Sequence, residues 1–217
     1  MQGALQASDD QLRDFLADPD SIIAPRHGEY DAAIRLKELE GDGIAGEVVF
    51  PQMAPFGAGL MMYRHDVTPA QRRAGNRAYN RFLADMCGSN PGRHAGVIVI
   101  DVDDIPETIR EIRECHSMGL FGGILLPAST GENPYYHHYD RYAPLWNVCE
   151  ELNLPVHTHS GWTPDYGDSP AATPMFISEV DMWAERPFTA LLWSGTFEKH
   201  PNLKLVFTET GCSWILE

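Results

Sequence analysis

The stretch Leu154-Pro155-Val156-His157-Thr158-His159-Ser160-Gly161 decides how the rest of the chain is read. Side chains of a β-strand alternate between its faces, so His157 and His159 project to the same side. Gly161 and Pro164 end the run and open a loop. Two imidazoles leaving a strand together make a corner for a metal ion, because neutral imidazole is a good ligand for Zn²⁺ and its neighbours. They make a hydrogen-bonded pair at the edge of a core equally well, and residue type alone leaves both readings open.

Similar apolar runs flank this one. Ile44 to Phe50, Val97 to Ile100, Gly122 to Pro127 and Leu205 to Glu209 each read as a strand. Helical patterns lie between them. Tyr30 to Leu39 is one, closed by Gly41-Asp42-Gly43. Thr68 caps another with Pro69 at its first position, and Asp104-Ile105-Pro106 opens a third. Tyr142, Leu145, Trp146, Cys149 and Leu152 mark a fourth, and a longer helical region is expected from about Ser178 to Lys199. The first ~20 residues read as an amphipathic helix or an irregular lead-in. Strands that alternate with helices and are apolar throughout imply a parallel sheet with helices outside, an α/β fold. No Gly-x-Gly-x-x-Gly or P-loop follows any strand. Titratable residues collect at strand exits instead (Asp101, His157, His159, Glu209), which is where the active sites of β/α barrels lie.

Bulk composition narrows the function. The chain has 217 residues and 43% hydrophobic content, enough for one sizeable core. Its 31 acidic against 16 basic side chains give a net charge of -15, which repels phosphate backbones and argues against a nucleic-acid partner. No apolar stretch approaches the ~20 residues of a membrane span. No signal peptide is visible at the N-terminus, so a cytoplasmic location is expected. The four cysteines are widely spaced with no Cys-x-x-Cys, which fits reduced, buried thiols, Cys212 included.

The chemistry is expected at a few positions. Strand alternation puts Glu209 on the face of Phe207 and Leu205, where an apolar interior would raise its pKa and suit acid/base work. Asp101 reads as a turn residue. The loop Asn133-Pro134-Tyr135-Tyr136-His137-His138-Tyr139-Asp140 could wall a substrate site through Tyr136 and His138, with Asp140 capping the next helix. Trp162 would extend that wall, and together these residues would suit an aromatic or unsaturated acid. The loop Met53 to Tyr63 could be a lid. Gly211-Cys212-Ser213 lacks the second glycine of a nucleophile elbow.

The stretch 154–161, the segment Ser194-Gly195-Thr196-Phe197-Glu198-Lys199-His200-Pro201-Asn202-Leu203-Lys204-Leu205-Val206-Phe207-Thr208-Glu209-Thr210-Gly211, the segment Asp42 to Pro51 and the segment Tyr79 to Leu83 resemble the amidohydrolase-related family. The likeness is to its aminocarboxymuconate-semialdehyde decarboxylase-like branch and runs from roughly residue 31 to the end. It implies a metal-dependent TIM (β/α)₈ barrel, usually with zinc. The implied reaction is non-oxidative decarboxylation of a small organic acid or hydrolysis of an ester, lactone or amide. An inactive barrel used for binding is the third possibility. The resemblance makes His159 a metal ligand and gives His157 no role. At the place of a catalytic histidine it puts Glu209. It also allows a homodimer. The five strands fit barrel strands two to six. On this reading residues 1–217 form a single partial domain with a lead-in over 1–30. Strand one and strands seven and eight are missing, and the remaining fragment is expected to be inactive on its own.

Overall fold

A computed structural model describes residues 27–51 and 67–212 of the chain. The expected N-terminal lead-in helix and the Met53 to Tyr63 lid lie outside those residues. The chain divides into two compact units, Met1–Ala45 and Gly46–Glu217.

In the first unit a 3₁₀ turn, His27–Glu29, precedes helix α1, Ala32–Gly41. Asp31 caps α1 by accepting from the backbone N–H groups of Ala33 and Ile34, at 2.9 and 3.0 Å. Leu39 is buried.

The second unit alternates strand and helix. In chain order it runs β1 Glu47–Val49, α2 Pro69–Gly88, β2 His94–Val99, α3 Ile105–Ser117, β3 Gly123–Leu125, α4 Tyr139–Glu151, β4 Val156–His159, α5 Ala172–Trp193, α6 Thr196–Lys199 and β5 Leu205–Thr208. All five strands are parallel and pair in sequence order, β1-β2-β3-β4-β5. Thr68 and Gln71 form a full capping box at the start of α2, where the sequence places the cap. The long helix expected to reach Lys199 instead breaks after Trp193, because Gly195 takes a left-handed φ of 69° and restarts the chain as α6. Helix α4 is preceded by His138, and Asp140 lies inside its first turn rather than at its cap.

The sheet has two unlike faces. Ile98, Ile124 and Val156 face the helices and pack with Leu83, Ile112 and Trp146 in one continuous core. Val97 and Leu125 face the other way, against the ring of Phe50. Phe50 follows β1, yet its ring centroid lies 5.2 Å from those of both His157 and His159 on β4. Three strand spacings in a flat sheet amount to roughly 14 Å. The sheet therefore curls so that the exit of β1 meets β4 across its concave side, the curvature of a partial β/α barrel. Among the described residues no helix is long and apolar enough to cross a membrane.

Candidate functional site

His159 is the last residue of β4 and Glu209 the first after β5. His159 pairs in register with Thr208, so the two candidate residues leave neighbouring strands side by side. The Glu209 carboxylate Oε2 lies 3.8 Å from His159 Nε2. The imidazole is 9% exposed and the carboxylate 71%. Glu209 is thus not the buried acid that strand alternation predicted. The strand ends at Thr208 and Glu209 adopts a left-handed φ of 57°, which takes its side chain out of the alternation. Only a few per cent of non-glycine residues sit there, and such residues concentrate at functional sites.

The hydrogen bonds fix what each histidine can offer. His159 Nδ1 is 2.6 Å from the carbonyl of Ser160. A carbonyl only accepts, so Nδ1 carries the hydrogen and Nε2 is left with a bare lone pair in the neutral ring, facing Glu209. This is how metal-ligating histidines are oriented: the far ring nitrogen donates to a carbonyl or carboxylate. His157 is held differently. Its Nε2 donates to the carbonyl of Gly122 at 2.8 Å, at the beginning of β3, so the ring reaches back toward the opposite end of the sheet from the mouth. Its Nδ1 is buried and without a hydrogen-bond partner. Burial depresses the His157 pKa below its usual 6.5; the bond to Gly122 partly offsets this and the neighbouring His159 adds to it. The two histidines share a face, as the sequence predicts, but the one closer to the start of β4 packs into the interior. A hypothetical Cβ on Gly123 would lie 2.3 Å from the Pro155 carbonyl oxygen and 2.7 Å from a His157 ring carbon, so only glycine leaves room for this ring.

Past the end of β4 the chain opens a cleft of about 1490 Å³, lined among others by Arg72, Asp103, Asn133, Gly161, Trp162, Tyr166 and Phe176; His159 and Glu209 lie outside that lining, with Gly161 the nearest lining residue along the chain. Asp103, Asn133, Trp162 and Tyr166 belong to the connections that follow β2, β3 and β4, so the cleft sits at the C-terminal end of the strands, where barrel enzymes bind substrate. Trp162 stands in its wall with its ring edge-to-face on Trp183, 5.4 Å between centroids. One side is a polar clasp. Asp103 accepts from Arg72 and, at 2.9 Å, from Asn133 Nδ2, while Arg141 donates to Asn133 Oδ1 at 2.7 Å.

Tyr136 is not part of this wall. It is fully buried, its hydroxyl donates to the Pro127 carbonyl at 2.6 Å, and its ring packs with Tyr135, Tyr142 and Trp146 on the helix-facing side. A fully buried phenol bonded to a carbonyl has nothing left to offer a substrate. His138 is exposed beside His137 and does not line the cleft. Asp101 is a turn residue, accepting from the Asp103 N–H at 3.1 Å. Cys87, Cys115 and Cys149 are buried, and burial pushes the Cys87 thiol up to about 11; Cys212, expected to be buried, is exposed because it follows the last strand.

Sequence reading missed Phe50 and the Arg72–Asp103–Asn133 clasp. Phe50 ends a strand beside Pro51, the only local signal it carries. The clasp joins residues 30 or more positions apart.

A metal can be tested against these donors. His159 Nε2 is bare and next to a carboxylate, a nitrogen and an oxygen donor at one mouth, which fits a divalent ion such as Zn²⁺ or Mn²⁺. Among the described residues no group of three or more His, Cys, Asp or Glu converges, so these two would be part of a ligand set.

The sequence model of the protein family described as Amidohydrolase matches residues 35–216. The gamma-resorcylate decarboxylase of Rhizobium sp. (strain MTP-10005) is 26% identical over 188 residues, covering 82% of this chain and 54% of that protein. The crystal structure of an amidohydrolase from Mycobacterium avium subsp. paratuberculosis K-10 superposes with a TM-score of 0.70 at 17% identity, over 87% of this chain and 50% of that one. The 5-carboxyvanillate decarboxylase of Novosphingobium aromaticivorans, solved with manganese and 4-hydroxy-3-methoxy-5-nitrobenzoic acid, gives a TM-score of 0.63 at 22% identity, over 80% and 47%. The chain spans about half the length of the curated relatives it matches.

Proposed function

Because the chain belongs to the amidohydrolase family, we propose that its site serves a metal-dependent, non-oxidative decarboxylation of a small aromatic acid. The observation that carries this reading is the bare Nε2 of His159 facing the Glu209 carboxylate at 3.8 Å, at the C-terminal end of a parallel sheet. His159 would hold a divalent metal, with Glu209 beside it. Such a metal, when bound, polarises an oxygen of the substrate and offsets its negative charge.

The chain's own residues divide the remaining work. Trp162 and Phe176 offer flat apolar surface to an aromatic ring, and the cleft is wide enough for one. In the reaction the bond between ring carbon and carboxylate breaks and CO₂ leaves. The electron pair left on carbon takes a proton. Glu209, exposed to solvent with Oε2 3.8 Å from His159 Nε2, would take a proton from water and pass it to that carbon. The relatives support the chemistry: one is a gamma-resorcylate decarboxylase and another is a 5-carboxyvanillate decarboxylase.

The test is CO₂ release from hydroxybenzoic acids by the protein carrying this site, with Mn²⁺ or Zn²⁺ added. Release that requires the metal and falls at least ~10²-fold in both His159→Ala and Glu209→Gln is the expected result. Acid release from an ester or lactone substrate, with no CO₂ formed, would replace decarboxylation by hydrolysis on the same scaffold.

A further inference from the structure

Phe50, from outside β4, packs against both histidine rings. Its centroid lies 5.2 Å from each, edge-on to His157 at 84° and tilted at 55° to His159. It is partly buried and also packs on Val97 and Leu125, so its own position is fixed from below by the concave face of β2 and β3. Among the described residues the His159 ring has one hydrogen-bond anchor, the 2.6 Å bond from Nδ1 to the carbonyl of the very next residue. A bond to an adjacent residue sets which nitrogen carries the hydrogen. When the ring turns about its side-chain torsions Nδ1 leaves that backbone carbonyl, so the bond and the tautomer it fixes last only while the ring is held in place. The aromatic surface that lies against the ring is Phe50.

We propose that Phe50 is a positioning residue: its ring braces His159 so that Nε2 points at Glu209 and at the place a metal would occupy. The geometry favours this role over simple core filling. Besides Val97 and Leu125, Phe50 meets two imidazoles at 5.2 Å, edge-to-face on His157 and tilted on His159, so its ring contacts the histidines as well as the aliphatic core. It does so from the far edge of the curled sheet, so the brace exists only when β1 has closed toward β4. Ligand orientation is thereby tied to the curvature of the sheet. This inference rests on the metal reading of His159 given above, but the orientation of the ring is measurable without metal.

Two variants separate the ring from its volume. Phe50→Leu keeps apolar bulk and removes the aromatic face; Phe50→Tyr keeps the face. Histidine ¹⁵N resonances in the metal-free chain report the His159 tautomer, and Mn²⁺ titration reports affinity. Phe50→Tyr is expected to match wild type in both. Phe50→Leu is expected to move the His159 nitrogen shifts toward a tautomer mixture and to weaken Mn²⁺ binding about tenfold, the scale of losses on removing groups that orient a ligand. Wild-type shifts and affinity in Phe50→Leu overturn the proposal. A shift change in Phe50→Leu combined with no Mn²⁺ binding by wild type sustains the brace and refutes the metal reading.

Discussion

Glu209 Oε2 and His159 Nε2 lie 3.8 Å apart at the ends of adjacent strands, and this proximity depends on a left-handed residue. Continuing β5 by one more extended residue would keep Glu209 in the strand's alternation. The φ of 57° takes it out of the strand at the mouth. A non-glycine residue in that region costs on the order of 1–3 kcal/mol, and the cost falls on a residue placed to act.

That cost gives the first prediction. Glu209→Gly relieves the backbone and removes the carboxylate. Its urea-unfolding free energy should stay level or rise by up to about 1 kcal/mol. Its turnover should fall by about 10²–10⁴. Loss of both together would mean the carboxylate is structural.

His157 gives a pH prediction. Its folded pKa lies below the unfolded value of 6.5 because burial disfavours the charged ring. Above pH 6.5 both states hold it neutral and its contribution is complete. As pH falls below 6.5 the unfolded chain takes the proton first, so stability drops until the folded pKa is passed. The slope from this one group is at most about 1.4 kcal/mol per pH unit. Unfolding curves at pH 7.5 and 5.5 should therefore differ more in wild type than in His157→Gln. An equal pH dependence in the two proteins would show that His157 is not the group responsible.

Gly123 takes a φ of 118°, and any Cβ there meets the Pro155 carbonyl and the His157 ring. Gly123→Ala is expected to cost roughly 3 kcal/mol or more, since backbone strain and a clash with backbone add. A midpoint shift in urea reads it directly, and a change under about 1 kcal/mol would show that β3 and β4 can separate without penalty.

Asn80 of α2 is fully buried and bonds both ways with the backbone of Val99, accepting from its N–H at 2.9 Å and donating to its carbonyl at 3.0 Å. Val99 lies three residues beyond Gly96, the last described β2 residue paired with β1, and the side-chain amide pairs its backbone there. Asn80→Ala leaves both Val99 groups unpaired and should destabilise by roughly 2–4 kcal/mol. Measured unfolding within 0.5 kcal/mol of wild type would mean that water replaces the amide at no cost.

What could be read from sequence divides along the range of the interaction. The strands were legible because each lies in a short apolar run, such as Val97-Ile98-Val99-Ile100, bounded by turn residues. The cap at Thr68 and the collection of His159 and Glu209 at strand exits followed from local pattern and parallel topology. The failures were non-local or conformational. Alternation predicts the direction of Glu209 only while the strand continues, and it stops one residue short. Tyr136 was read as a loop aromatic, but the cage of Tyr142 and Trp146 that buries it comes from a helix face whose packing the loop's sequence does not encode. His157 and His159 were equivalent by parity. The Gly122 carbonyl that turns one of them inward lies just before another strand, 35 residues away. Phe50 meets β4 only through the curl of the sheet, a property of all five strands together.

Titrating Mn²⁺ into the wild-type chain and into His159→Ala and His157→Gln, followed by electron paramagnetic resonance, tests the central claim most directly. The account predicts a saturable site in wild type that is kept within about threefold in His157→Gln and weakened by at least tenfold in His159→Ala. Binding that survives the loss of His159, or that disappears only with His157, would contradict it.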